Sequence, residues 1–162
     1  MATASHNLSV YDPASVPNGA GLRFGLVVSE WNHEITDALR AGALSTLIKH
    51  GVKEQDIVQV WVPGSFELPL AAQILLEQQK LDGVICLGSI VRGETPHFEF
   101  VCQGTTQGIM EVGLKFSLPV IFGVLTDDNI DQARDRSGGR HGNKGVDCAV
   151  ALLKMAAIKR GV

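Results

Sequence analysis

The sequence predicts an α/β fold, a three-layer α/β/α sandwich around a central four-stranded parallel sheet. Three observations carry this. Four apolar runs have strand length and strand composition: LRFGLVVS, DIVQVWV, DGVICL and PVIFGVL. Between them, apolar residues recur at helical spacing, and strands that alternate with helices pair in parallel with helices on both faces. The 162 residues suffice for one sizeable core, and 45% hydrophobic residues fit a globular domain.

Residues 1–21 are polar and carry Pro13, Pro17 and the Asn18-Gly19 turn signal, so they read as a tail. Within it, Leu8, Val10 and Tyr11 suit a short strand if a neighbouring chain pairs with them. The single domain spans residues 22–162. Its first strand is residues 22–29. Asn32 is a good N-cap for a helix whose inward face is Ile35, Leu39, Ala43, Leu47 and Ile48, with Gly51 as its C-terminal cap. Residues 56–62 form the second strand. A turn at Pro63-Gly64-Ser65 opens a helix running to about Gln79, with Pro69 tolerated near its start.

The third strand begins at Asp82 and ends near Val91. A helix starts near Pro96, with Phe98, Val101, Thr105, Ile109, Val112 and Phe116 along one side. Residues 119–125 are the fourth strand, and residues 130–136 a short helix. A basic, glycine-rich loop covers residues 137–145. The last helix runs to Arg160, with Val146, Val150, Leu153 and Ala157 inward.

In parallel sheets ligands bind outside the carboxyl ends of the strands. Four turns meet there: residues 29–32, 63–67, 92–97 and 125–129. The third turn, RGETPH, joins a cation, a flexible glycine, a hydroxyl and an imidazole at a helix start, where free N–H groups attract anions. It reads equally as an ordinary strand-to-helix turn. Trp31 offers a stacking face for a planar heterocycle, or is a core residue. Neither GxGxxG nor GxxxxGK occurs. Arg134, Arg136, Arg140 and Lys144 form a positive cluster that suits an anion or is simply solvated.

Net charge is −3, from 14 basic and 17 acidic residues, which gives no electrostatic case for nucleic acid or a membrane surface. No apolar run approaches the ~18 residues of a membrane helix. The N-terminus lacks the pattern of a secretory signal. Cys86, Cys102 and Cys148 lack CxxC spacing and read as buried thiols of a cytoplasmic protein. Metal-ligand spacing is absent among the five histidines.

Several motifs in one register resemble the lumazine synthase family. They are VPGSFELP at residues 62–69, RGETPHF at residues 92–98, GNKG at residues 142–145, Trp31-Asn32, and NIDQA at residues 129–133. The resemblance implies a flavodoxin-like domain and a condensation. A pyrimidinedione bearing amino and ribitylamino groups joins 3,4-dihydroxy-2-butanone 4-phosphate to give 6,7-dimethyl-8-ribityllumazine. It implies no metal and no other cofactor. It implies that Trp31 stacks on the pyrimidine, and that Asn32, Ser65, Phe66 and Glu67 hold the ribityl chain. Ile90 and Val91 line the heterocycle. Gly93, Glu94, Thr95 and Arg136 bind phosphate, and His97 moves protons. Phe122, Arg136 and Lys144 come from a neighbouring subunit of a homopentamer, which can build a sixty-subunit shell. Asp147 pairs with Arg136. Two rivals use the same scaffold: a flavin or lumazine carrier without catalysis, and a cage protein. For the cage, Gly104 and Gly108 permit close helix packing around an axis.

Overall fold

A computed structural model describes residues 7–161. Its sheet consists of four parallel strands: β1 (Phe24–Ser29), β2 (Ile57–Val62), β3 (Gly83–Val91) and β4 (Val120–Asp127). They lie in the order β2-β1-β3-β4, the order of the first four strands in flavodoxin-like sheets. Helices α1 (His33–Lys49), α4 (Ile130–Arg136) and α5 (Lys144–Arg160) cover one face. Helices α2 (Leu68–Gln78) and α3 (His97–Phe116) cover the other. This is the α/β sandwich that the alternating pattern predicts.

β1 is buried along its whole length, with Phe24, Leu26 and Val28 toward α1 and α5 and Val27 toward α2. Cys86 and Cys148 are also buried, and burial pushes the Cys148 thiol up to about 12. Cys102, expected to be buried, is only partly covered, on the outer side of α3.

Three further sequence expectations change. Ile48 is exposed rather than inward, because Thr46 and Leu47 complete the buried stripe of α1. The buried face of α5 is turned by about one residue. Cys148, Ala149, Leu152, Leu153 and Ala156 face the core, whereas Val146, Val150 and Ala157 are only partly covered. Residues 137–145 are not one open loop. Short strands β5 (Ser137–Gly139) and β6 (Gly142–Asn143) pair antiparallel, and Lys144 already belongs to α5. The strand expected of residues 8–11 needs a neighbouring chain, and within this chain they run without one. A 3-10 turn at Pro13–Ser15 follows them, the Tyr11 hydroxyl meets His50 Nε2 at 3.1 Å, and Val16 and Leu22 enter the core.

Candidate active site

At the carboxyl ends of the strands, Trp31, Gly64, Ser65, Phe66, Glu67, His97, Phe100 and Val101 line a cavity of about 510 Å³. Five of them, Trp31, Ser65, Phe66, Glu67 and His97, are sequence candidates. Local geometry explains the gathering. After β1 the chain turns through Asn32, which adopts a left-handed conformation (φ 55°). Asn32 is therefore not the side-chain cap that its type suggests. Its Nδ2 instead donates to the Ser89 carbonyl at 2.9 Å, tying the β1–α1 turn to β3. Trp31 projects outward, 72% exposed. A Cβ on Gly64 would touch the Trp31 ring at 3.4 Å, so the second turn passes close beneath the indole.

Residues Ser65–Glu67 form a 3-10 turn that leads into α2, with Pro69 in its first turn. The Thr105 hydroxyl of α3 donates to the Ser65 carbonyl at 3.2 Å. Phe66 points a ring edge at Gly104, where a Cβ would come within 2.6 Å of the ring. Gly108 faces Pro69 in the same way, at 2.8 Å. The closeness that these glycines allow is thus toward this chain's own second turn and α2, rather than toward an assembly axis. Ser65 Oγ is buried beside Gly88 and has no hydrogen-bond partner among the described residues.

His97 is exposed and opens α3. Before it, Gly93, Glu94 and Thr95 are exposed, and a Cβ on Gly93 would meet nothing within 4 Å. The ends of this turn are fixed by Arg92. Its N–H donates to the Asp127 carbonyl at 2.9 Å and its Nε to Asp128 Oδ1 at 2.8 Å. Its Nη1 donates to Glu99 Oε1, and its guanidinium lies 4.2 Å from the Phe98 ring centroid. The hydrogen bond from Arg92 holds the Glu99 carboxyl below its ordinary range. Ile90 and Val91 are half-buried at the end of β3.

Phe122, Arg136 and Lys144 do not line this cavity. Phe122 belongs to a separate apolar hollow of about 450 Å³, with Ile109, Met110, Leu114, Met155 and Ile158. Arg136 ends α4, where Nη1 donates to the His141 carbonyl at 2.6 Å and Nη2 to Asp147 Oδ2 at 2.9 Å. The positive cluster of the sequence is largely neutralised. Arg134 pairs with Glu34 and Asp131, Arg136 with Asp147, and Arg140 with Asp135. Lys144 alone of the four makes no ion pair among the described residues. Nearby, burial raises the Asp127 carboxyl, although Arg136 opposes the shift, and its Oδ2 lacks a partner among the described residues.

Sequence reasoning does not single out Gly64, Phe100 or Val101 for the site. Phe100 has a signal, since it stands three residues after His97 and so shares its helix face. Among the described residues, no three His, Cys, Asp or Glu side chains are grouped to hold a metal. No helix there is long and apolar enough to cross a membrane.

A family model described as 6,7-dimethyl-8-ribityllumazine synthase matches residues 21–160. Three curated relatives carry that same name. The one from Porphyromonas gingivalis is 54% identical over 160 residues, covering 99% of both chains. The Phocaeicola vulgatus relative is 53% identical over 98% of this chain and 95% of its own. The Parabacteroides distasonis relative is 55% identical over 96% and 97% respectively.

Proposed function

This chain belongs to the 6,7-dimethyl-8-ribityllumazine synthase family, and from that premise we propose how its residues carry the reaction. The protein is a transferase of riboflavin biosynthesis. It condenses 5-amino-6-ribitylamino-2,4-pyrimidinedione with 3,4-dihydroxy-2-butanone 4-phosphate. An amine of the pyrimidine attacks the ketone and water leaves as the imine forms. Phosphate is then eliminated, and ring closure expels a second water to give the lumazine.

The carrying observation is that a stacking face, a serine, a carboxylate and an imidazole line one cavity. Trp31 stacks on the pyrimidine, a contact worth roughly 1–3 kcal/mol by analogy with nucleic-acid bases. Ser65 and Glu67 hydrogen-bond the ribityl hydroxyls, Asn32 stands beside them, and Phe66 packs against the chain. Ile90 and Val91 flank the ring. Phosphate sits on the N–H groups of residues 93–95 at the start of the 20-residue α3. Glu94 keeps its carboxylate in solvent there, away from the anion. His97, beside both substrates, moves protons between the amine, the imine and the leaving group.

The cations come from a neighbour in a homopentamer, where each interface is head-to-tail. Arg136 uses two of its five N–H donors internally, so three remain for phosphate. Phe122 and Lys144 close the pyrimidine side. Such pentamers can build a sixty-subunit shell. Free thiols suit a cytoplasmic enzyme.

Incubation with both substrates should produce lumazine absorbance, and His97→Ala should slow it roughly 10²–10⁴-fold. Co-refolding His97→Ala with Arg136→Ala subunits should restore activity above either parent, because about a quarter of randomly mixed sites receive both intact residues. Activity at the mean of the two parents, with mixed rings formed, would put the whole site within one subunit.

A further inference from the structure

We infer that residues 7–9, at the N-terminal end of the described chain, are a positioning element for Arg136, acting through the hairpin that carries its His141 partner. The inference rests on the reading of Arg136 as a phosphate-binding group. Leu8 N–H donates to the His141 carbonyl at 3.1 Å. That same oxygen receives Arg136 Nη1 at 2.6 Å. One carbonyl therefore joins the segment to the guanidinium.

A residue further on, the contact is tighter. Ser9 Oγ accepts from Asn143 N–H at 2.7 Å and donates to the Asn143 carbonyl at 2.9 Å. Asn143 is the N-cap of α5, its Oδ1 accepting from Gly145 N–H at 2.8 Å, and Lys144 follows it directly. Between the two contacts lies Gly142, with φ 84°. A Cβ there would stand 2.3 Å from Asn7 Oδ1 and 2.5 Å from Ser9 Oγ, so the segment lies flush on the hairpin.

The hairpin needs such a restraint. Residues 137–143 include three glycines and only a two-strand ladder with a register shift, so little in their own backbone limits their conformations. On the other side α1 grips them through Asn143 Nδ2, which donates to the Ala38 carbonyl at 2.9 Å. Residues 7–9 supply the second hold. They do not fill the core. Val16 and Leu22 do that, whereas Asn7 is exposed and Leu8 and Ser9 are only half-buried.

The test uses the full chain carrying Ser9→Ala, with Arg136→Lys and Ser15→Ala beside it and assembly followed by light scattering. Ser15 bonds only its own turn and serves as the control. Ser9→Ala should raise KM for the phosphate-bearing substrate about fivefold, part of the weight of the two hydrogen bonds lost at Asn143, and leave KM for the pyrimidine within twofold. A chain lacking residues 2–9 should show the same selectivity with a larger effect. If Arg136→Lys raises that KM while Ser9→Ala does not, the positioning role is wrong and the role of Arg136 stands. If Ser9→Ala raises both Michaelis constants alike, residues 7–9 are merely structural. If Arg136→Lys leaves both constants unchanged, the phosphate role of Arg136 falls and takes the positioning proposal with it.

Discussion

Replacing Gly145 by alanine should separate α5 from α1. A Cβ at this second residue of α5 would stand 1.9 Å from the Leu39 carbonyl oxygen and 2.8 Å from its carbon. Carbon–oxygen contacts begin at ~3.3 Å, so the helices must part by roughly 1.4 Å at their crossing. The atom in the way is backbone and cannot rotate aside. The same displacement would stretch the Asn143 Nδ2 bond to the Ala38 carbonyl, now 2.9 Å, beyond hydrogen-bond range. Overpacking costs about 1–3 kcal/mol, and the lost hydrogen bond about 0.5–1.5 kcal/mol more, since Nδ2 keeps its bond to the Ser137 carbonyl. We expect Gly145→Ala to lose about 3 kcal/mol in urea unfolding followed by circular dichroism. Gly93→Ala, in open space, should stay within about 0.5 kcal/mol of the parent. A loss below about 1 kcal/mol for Gly145→Ala would refute the argument that glycine is there for close approach.

Glu99→Gln should weaken the hold of Arg92 on the turn before His97. The pair is exposed, so melting should barely move, while KM for the phosphate-bearing substrate rises roughly two- to fivefold; an unchanged KM would disconnect the clamp from the turn. Asp127→Asn should stabilise the fold at pH 7 and not at pH 3. Burial raises this carboxyl in the folded state, so the folded chain binds its proton more tightly than the unfolded one. The penalty is absent below the ordinary carboxylate range and sets in as pH rises through the raised value. Thermal melts at the two pH values test this, and an equal or reversed difference would refute it.

Much of the fold was legible because β1, β3 and β4 are dense apolar runs, and runs of that kind leave few alternatives to a covered parallel sheet. The exposed turns followed from the rule that ligands gather at strand ends, which points to Trp31, Ser65 and His97 before any geometry. Other features were hidden for physical reasons. Asparagine is favoured both as a side-chain cap and in left-handed turns, so its identity at position 32 could not separate the two. Along α5 two stripes are apolar. Packing against α1 selects the one with small residues, Gly145, Cys148, Ala149 and Ala156, and periodicity carries no information about a partner's closeness. The glycines of residues 137–145 looked like a flexible loop or a failed phosphate cradle. Gly142 and Gly145 instead let residues 7–9 and α1 approach, and that requirement comes from elements about a hundred residues or more away.

The arrangement of β1 between β2 and β3 also dictates an order of events on the ribosome. β1 finds its first neighbour when Val62 has emerged, but β3 ends only at Val91. At ~5–20 residues per second, this fully buried strand has at least one bare edge for about 3–12 s after its own synthesis. Closure comes later still. Leu39, Ala43 and Leu47 of α1 are covered by α5, which ends at Arg160. A nascent chain stopped before α5 would present that apolar stripe to other nascent chains, so shortening this protein from its carboxyl end should yield aggregates rather than a smaller domain.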